Sequence, residues 1–174
     1  TSLVRYEAGA RYAAHGHPSG EEILVLEGTF SDENGDFPAG SYIRDPENHS
    51  HAPYSKDGCT LLVKLHQFQN GDNKHVDIDT ENAQWFDGHG NLEVMPLHDF
   101  NGESTALVHW PAGEPFLPHH HAGGEEIYVI RGEFIDEYGR YPEGSWIRCP
   151  HMSKHDPHVE EDTVILVKVG HLPS

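Results

Sequence analysis

Internal repetition constrains the fold of this chain more than any other feature of its sequence. Shifting the 174-residue chain by 104 positions aligns residues 1–67 with residues 105–171 without a gap, and about 28 aligned pairs are identical. Similarity at one fixed offset indicates two copies of one structural unit, and two copies are too few for a solenoid. The sequence therefore predicts two small domains, which we place at residues 1–80 and 81–174.

Both repeats have the pattern of an all-β domain. Short segments rich in β-branched and aliphatic residues are separated by Gly, Pro, Asp and Asn. No window of helical periodicity persists for three turns. The predicted strands are Ser2–Tyr6, Glu22–Leu26, Thr29–Ser31, Ser41–Arg44 and Thr60–Leu65, with Ala106–Trp110, Glu126–Ile130, Glu133–Ile135, Ser145–Arg148 and Thr163–Val169 in the second repeat.

The hydrophobic pattern distinguishes two kinds of strand. Ile23–Leu26 and Ile127–Ile130 are continuous apolar runs, which predict central strands buried on both faces. Leu61–Leu65 and Ile165–Val169 alternate instead, which predicts strands buried on one face only.

The polar stretch between the repeats contains two candidate edge strands, His75–Asp79 and Leu92–Met95. In the first repeat, the counterpart of the second of these would precede Thr1. Either the first domain lacks this strand or another segment supplies it.

Each repeat carries three histidines and one glutamate at identical spacings. A His-x-His pair ends four residues before the glutamate, and a third histidine follows it by thirty residues. Alternate side chains of a strand share a face, so both imidazoles of the pair can point to one place. Three neutral imidazoles and one carboxylate suit a divalent Zn, Fe, Mn, Co or Ni ion. The predicted ligands are His15, His17, Glu21 and His51, and in the second repeat His119, His121, Glu125 and His155.

Chance is the competing explanation, because a chain with sixteen histidines contains some His-x-His pairs by accident. The run His119–His121 would also suit a solvated turn. Repetition of the complete set argues against chance. An unpaired buried carboxylate would also cost on the order of several kcal/mol, a cost that coordination removes.

Other residues near the predicted ligands have alternative roles. Arg44 and Arg148 hold matching positions, and we predict structural ion pairs rather than substrate binding. Cys149 is either inert packing, which we favour, or a redox-active thiol. One group of aromatic residues either lines the barrel mouths or belongs to the core, which we favour: Tyr12, Tyr42, Phe116 and Trp146. The additional histidines either orient metal ligands or are simply exposed: His49, His120, His151 and His158.

Composition narrows the partners and the location. The formal net charge is -18 and no run of Lys or Arg occurs, so no direct nucleic-acid partner is expected. No apolar stretch approaches the length of a membrane helix and no leader is visible, so no membrane association is expected. Cys59 and Cys149 are not at equivalent positions, which favours a reducing cytoplasm over a disulfide framework. A domain of this size is marginally stable alone, so a shared interface, a bound metal or both are expected to stabilise it. A homodimer is an open alternative.

The same residues resemble the two sequence motifs of the cupin superfamily. The first motif is Gly, five residues, His-x-His, three or four residues, Glu, six residues and Gly; it is matched by Gly9, His15, His17, Glu21 and Gly28, and again by Gly113, His119, His121, Glu125 and Gly132. The second is matched by Gly40, Pro46 and His51, and again by Gly144, Pro150 and His155. Both copies lack the inner glycine and the trailing asparagine of the second motif, but neither loses a ligand.

Finer details resemble the cupin domain of the ChrR anti-sigma factor family. They are Gly-Glu-Glu-Ile, Phe-x-Asp-Glu-x-Gly and Gly-Ser-x-Ile-Arg-x-Pro, each present in both repeats. The resemblance implies two tandem jelly-roll β-barrels, with a metal, usually zinc, at the positions of His15, His17, Glu21 and His51. Full anti-sigma factors of this family also carry a helical zinc-binding domain that grips the sigma factor. Nothing in this sequence matches that domain.

Two functions from different classes remain open. The first is a metal-dependent sensor or regulatory module that responds to an oxidant or a small ligand and alters its contact with a regulatory protein. The second is a non-haem metal-dependent dioxygenase or related cupin oxidoreductase, in which Glu21 or Glu125 loosens to act as a base. Iron would leave positions open for a substrate and O2, whereas tetrahedral zinc would be filled. Zinc is the predicted metal, with Fe(II), Mn and Ni as alternatives.

Overall fold

All regular elements in the described part of the chain are β-strands. The computed structural model describes residues 1–172, and the all-β prediction is confirmed there. Within this range no helix is long and apolar enough to cross a membrane. The chain forms two compact units, of which the first is Thr1–Ala83 and the second starts at Gln84.

The first unit is built on one large antiparallel sheet with the strand order β1-β7-β3-β5-β8. The segments predicted as Glu22–Leu26 and Thr29–Ser31 form a single long strand. Its elements are β1 Ser2–Tyr6, β2 His15–Gly16, β3 Glu21–Asp32, β4 Gly35–Pro38, β5 Ser41–Asp45, β6 Ser50–His51, β7 Cys59–Leu65 and β8 Val76–Asp79.

The second unit repeats this sheet with the order β16-β13-β18-β11-β10-β9. Here the long strand is divided into β13 and β14. The elements are β9 Phe86–Asp87, β10 Glu93–Phe100, β11 Glu103–Trp110, β12 His119–His120, β13 Glu125–Arg131, β14 Glu133–Asp136, β15 Gly139–Pro142, β16 Trp146–Cys149, β17 Lys154–His155 and β18 Thr163–Val169.

A bulge in β3 lets one strand pair with β7 over its first part and with β4 over its second part. Up to Gly28 the strand pairs with β7, with a register shift after Val25, and from Thr29 onward it pairs with β4. Gly28 has φ +71, and a Cβ there would lie 2.1 Å from the carbonyl oxygen of Gly58. Only glycine fits this position. The bend carries Phe30 over the sheet, where it closes an apolar core with Ile23, Val25, Ile43, Cys59, Leu61 and Val63.

The central strands β3 and β13 are confirmed as buried on both faces at Ile23–Val25 and Ile127–Val129. For β7 and β18 the prediction of one buried face is wrong. Leu62 and Lys64 are 3% and 4% exposed, and Leu166 and Lys168 are 3% and 1% exposed. The lysines made these strands look half-polar, but Lys168 is neutralised by Glu103 at 2.8 Å.

The two sheets are extended on opposite edges. In the first unit β8 pairs with β5, whereas in the second unit β10 and β9 extend the sheet beyond β11. Within residues 1–172 no strand pairs with the outer side of β1, the edge at which β10 pairs with β11 in the second unit.

The matching arginines form ion pairs, as predicted, but in different surroundings. Arg44 is fully buried, its Nη2 lies 2.7 Å from Asp72 and its Nε lies 3.6 Å from Glu22. The ring of Phe68 stacks on its guanidinium group at 3.6 Å. The Arg148 side chain is 51% exposed and lies 3.6 Å from Glu126. The segment after β7 therefore covers this position in the first unit only.

We expect this difference to appear in the free energy of unfolding. Arg44→Ala leaves two buried carboxylates without their cation and should lower it by about 3–5 kcal/mol. Arg148→Ala, the matched control, should cost less than about 1 kcal/mol because its pair is half exposed. Equilibrium denaturation monitored by fluorescence measures both. Equal losses would contradict the structural role assigned to Arg44.

Candidate metal centres

A two-stranded ladder brings two of the predicted ligands together in the first unit. His15 on β2 lies directly opposite His51 on β6. The Nδ1–H of His15 donates a hydrogen bond to the carbonyl oxygen of Ala13 at 2.8 Å. Because a carbonyl can only accept, this bond fixes the tautomer and leaves the Nε2 lone pair free for a cation.

The polar atoms of this cluster have the spacing of a coordination shell. His17 Nε2 lies 3.3 Å from His51 Nε2, and Glu21 Oε2 lies 3.5 Å from each of these nitrogens. Four ligands at about 2.1 Å from a tetrahedral ion would be separated by roughly 3.4 Å. His15 completes the set, with its ligand atom within 4.8 Å of those of His17 and His51.

The second unit repeats this arrangement. His119 on β12 lies opposite His155 on β17, with 3.1 Å between their Nε2 atoms. Glu125 lies 3.2 Å from His121 Nε2 and 3.5 Å from His155 Nε2. His119 Nδ1–H donates to the carbonyl oxygen of Leu117 at 2.9 Å, as His15 does to Ala13. The structure thus gathers all eight predicted ligands into two groups of four.

Burial shifts the pKa values of the glutamates and of several histidines in both clusters. Burial raises the pKa of Glu21 to about 7, with a smaller contribution from Asp45, and raises that of Glu125 to about 8. Burial also lowers the pKa of His121 to about 4, and that of His51 below its ordinary value. His51 and His121 are therefore neutral near pH 7 and can donate lone pairs, and a bound cation would favour the ionised form of each carboxylate.

Each cluster is closed on one side and open on the other. His51, His155 and both glutamates are buried, whereas His15 is exposed and His119 is partly exposed. A bound ion could therefore exchange water or a small ligand on the side of the His-x-His pair.

Sequence reasoning missed two carboxylates behind the clusters. Asp32 Oδ2 lies 3.7 Å from His51 Nδ1, and Asp136 Oδ2 lies 3.9 Å from His155 Nδ1. Both are buried at the ends of strands β3 and β14, where they also accept backbone hydrogen bonds that shape the hairpin turn. Their identity at matching positions was the available signal. Each carboxylate lies nearest the Nδ1 atom of the imidazole whose Nε2 atom faces the other predicted ligands, at a distance longer than a hydrogen bond.

One position beside the ligands differs between the units. The ladder pairs Glu21 with Asp45 in the first unit and Glu125 with Cys149 in the second. The Cys149 thiol lies within 4.8 Å of the ligand atoms of Glu125 and His155. Burial, followed by Glu125 and Asp136, raises its pKa to about 11, so without an ion the thiol is protonated.

The flanking histidines and aromatics have mixed roles. His49 contacts Asp45 at 3.3 Å, and His151 Nδ1 accepts a hydrogen bond from the Gly123 N–H at 2.8 Å. His120 and His158 are exposed. Among the aromatics, Tyr42 is fully buried, Tyr12 and Trp146 are about half exposed, and Phe116 lies against His119 at 4.9 Å between ring centroids. Phe116 alone of these four packs against a predicted ligand, with the two rings edge to face.

Nearly the whole chain matches one family in sequence comparison. The profile of the ChrR cupin-like domain matches it twice, over residues 1–69 and residues 73–173. The resemblance expected from the motifs is confirmed for both repeats. No curated protein matches the chain in sequence.

Solved structures support the tandem cupin fold. A "putative dioxygenase" from Nostoc punctiforme has a TM-score of 0.79 at 16% identity, over 96% of this chain and 67% of that one. The pirin YhhW from Escherichia coli, in complex with nickel(II), has a TM-score of 0.69 at 17% identity, over 98% and 80%. Oxalate decarboxylase from Bacillus subtilis, which has Mn(II) centres, has a TM-score of 0.67 at 16% identity, over 99% and 68%. At these identities the likeness concerns the fold.

The raised pKa values predict how pH affects the metal-free protein. A glutamate with a folded-state pKa above its unfolded value stabilises the fold less as pH rises through that range. The lowered pKa of His121 makes the free energy of unfolding rise with pH, but only below the ordinary imidazole pKa of 6.5. Above this pH the effect of Glu125 remains, so the free energy of unfolding should fall between about pH 6.5 and pH 8. Glu125→Gln should flatten this fall.

Thermal unfolding of chelator-treated protein at pH 6.5 and 8.5 measures the effect, with Glu137→Gln as an exposed control. The same protonated carboxyl should release a proton when an ion binds at pH 7.5, visible in calorimetry as a heat that depends on the buffer. An unchanged pH dependence in Glu125→Gln would contradict this assignment.

Proposed function

Because the chain belongs to the ChrR cupin-like domain family, we propose that each domain binds one divalent cation and that the protein is a metal-dependent sensor module for an oxidant or a small ligand. The duplicated cluster of three histidines and a buried glutamate supports this proposal. Zinc is the proposed ion, with Fe(II), Mn and Ni as alternatives. The ligands are His15, His17, Glu21 and His51, and in the second domain His119, His121, Glu125 and His155.

The residues of each domain have distinct tasks. Glutamate supplies the charge that neutralises the ion, and it loses its proton when the ion binds. His15 and His119 are held by their Nδ1–H bonds to backbone carbonyls. Buried His51 and His155 approach from the opposite strand, and the carboxylates of Asp32 and Asp136 lie 3.7 Å and 3.9 Å from their Nδ1 atoms. A bound ion would supply Lewis acidity and exchangeable positions on the exposed side.

The second domain carries a feature suited to an oxidant signal. Cys149 lies beside Glu125 and His155, and a cation held by those residues would favour the thiolate. The thiolate sulfur can attack hydrogen peroxide, breaking the O–O bond to give a sulfenic acid and, after protonation of the leaving hydroxide, water. The new oxygen would sit against two metal ligands and loosen the ion. A reducing cytoplasm, the proposed location, would reverse the oxidation.

Strand β16 offers a route from this thiol to a regulatory protein. Cys149 is its last residue, and β16 pairs with β13 on one side. Within residues 1–172 no strand pairs with its other side. A strand with a free edge is a natural place for a partner chain to pair, and displacement of Cys149 would alter that edge directly.

A dioxygenase is the second candidate, favoured by the exposed side of each cluster. The exposed imidazole of His15 and the partly exposed His119 mark a path by which O2 and a small substrate could reach a bound iron. In this case Glu21 or Glu125, with a pKa raised to about 7 or 8, would be suited to accept a proton from the substrate.

Ion content tests the ligand assignment. His51→Ala and His155→Ala should each remove one ion per chain relative to the wild type, because each removes a buried ligand. Elemental analysis of protein purified without added metal measures the loss, and His158→Ala, an exposed histidine outside both clusters, is the control. Unchanged content in either ligand variant would mean that the assignment of that domain is wrong.

Peroxide treatment separates the two functions. In the zinc-loaded wild type, hydrogen peroxide should release about one ion per chain, and Cys149→Ser should release none. His155→Ala retains metal only in the first domain and serves as the control for release from that domain. For the alternative, iron-reconstituted protein should consume O2 with a diketone, thiol or phenol. Consumption of O2 without Cys149-dependent release would replace the sensor by the dioxygenase.

A further inference from the structure

A second group of potential ligands lies beside the first one in domain 1. Asp45, His49 and His75 each offer one ligand atom, and the three atoms lie within 4.8 Å of one another. Asp45 Oδ1 is 2.8 Å from His75 Nδ1 and 3.3 Å from His49 Nδ1. These separations are close to those of ligands around one ion at about 2.1 Å, which are roughly 3.0–3.4 Å.

Strand register and a tight turn create this group. Arg44 pairs with Val76 in the β5–β8 ladder, so Asp45 lies opposite His75, just outside β8. His49 reaches back to Asp45 from a turn in which its N–H donates to the carbonyl oxygen of Pro46 at 3.1 Å. The three side chains converge although 26 residues separate the two histidines.

The chemistry of the group suits a cation that keeps some of its water. Two imidazoles and one carboxylate on one side of an ion are a common set for divalent transition metals and leave other positions open. The side chain of Asp45 is 7% exposed, that of His49 30% and that of His75 53%, so an ion could enter from solvent. The two imidazole rings are stacked, 5.5 Å apart at an angle of 24°.

Hydrogen bonding alone is the competing explanation. A carboxylate that merely accepts two hydrogen bonds can use both of its oxygens. Here both Nδ1 atoms approach the same oxygen, Oδ1 of Asp45. Convergence of three ligand atoms on one small volume is what a cation site requires.

Asp45 also connects this group to the first cluster. Its carboxylate lies within 4.8 Å of the ligand atoms of Glu21 and His51. Adjacent ions in two-metal sites are about 3.5–4 Å apart and commonly share a carboxylate. We propose that Asp45, His49 and His75 form an additional divalent-cation site in domain 1, next to the cluster of His15, His17, Glu21 and His51.

Domain 2 provides an internal comparison. The positions that match Asp45 and His49 hold Cys149 and Ser153, and within residues 1–172 no strand lies beside β16 as β8 lies beside β5. The additional site therefore belongs to domain 1 alone. The additional site shares only Asp45 with the surroundings of the first cluster. It does not require the proposed sensor role.

Zinc stoichiometry tests the proposal. Full-length protein without an affinity tag is stripped with a chelator and dialysed against excess Zn(II) at pH 7.5, and bound zinc is measured by elemental analysis. The wild type should bind three ions per chain. His75→Ala and His49→Ala should each bind two, and the control His158→Ala should bind three. Circular dichroism of each variant confirms that the fold is retained.

Two outcomes would overturn the additional site. Binding of two ions by the wild type and by His75→Ala would mean that the histidines only hydrogen-bond to Asp45. Loss of an ion from His158→Ala as well would identify the third ion as adventitious surface binding. Failure of the two four-ligand sites would give a different result. In that case His51→Ala and His155→Ala would leave the zinc content unchanged.

Discussion

A buried carboxylate at the start of the central strand is the constraint around which each domain is built. Glu21 and Glu125 begin β3 and β13, the strands that pair on both sides and carry the core. Ionising them in the apolar interior is costly, which is why burial raises their pKa. Neutral imidazoles cannot remove that cost, but a divalent cation held by all four groups can. Binding of a divalent cation would therefore offset the cost of ionising these buried carboxylates.

Much of this arrangement can be predicted from the sequence because each motif and each hydrophobic pattern occurs in both repeats. The ligand groups, the central strands and the arginine ion pairs all occupy matching positions in both halves. Patterns that depend on distant pairing could not be predicted. Lys64 and Lys168 made their strands look solvent-facing, although both are buried. Asp45 and His75 meet only because β8 pairs with β5, a register that no periodicity encodes.

The domains differ where the sheets end rather than in their cores. In domain 1, β8 and the segment before it cover β5, bury Arg44 between Glu22 and Asp72, and bring His75 to Asp45. In domain 2 the matching strand β16 has no such neighbour within residues 1–172, and Arg148 is half exposed. The two domains therefore differ in what covers the same edge of the repeated sheet.

The residue paired with the buried glutamate on the neighbouring strand is the chemical difference between the two candidate sites. Asp45 adds negative charge next to Glu21, and a second cation is the direct way to balance two adjacent buried carboxylates. Cys149 adds a thiol next to Glu125, whose charge depends on whether an ion is present. With the same four candidate ligands in each domain, Asp45 would allow the first domain to hold a second cation, and Cys149 would allow the second domain to lose its ion on oxidation.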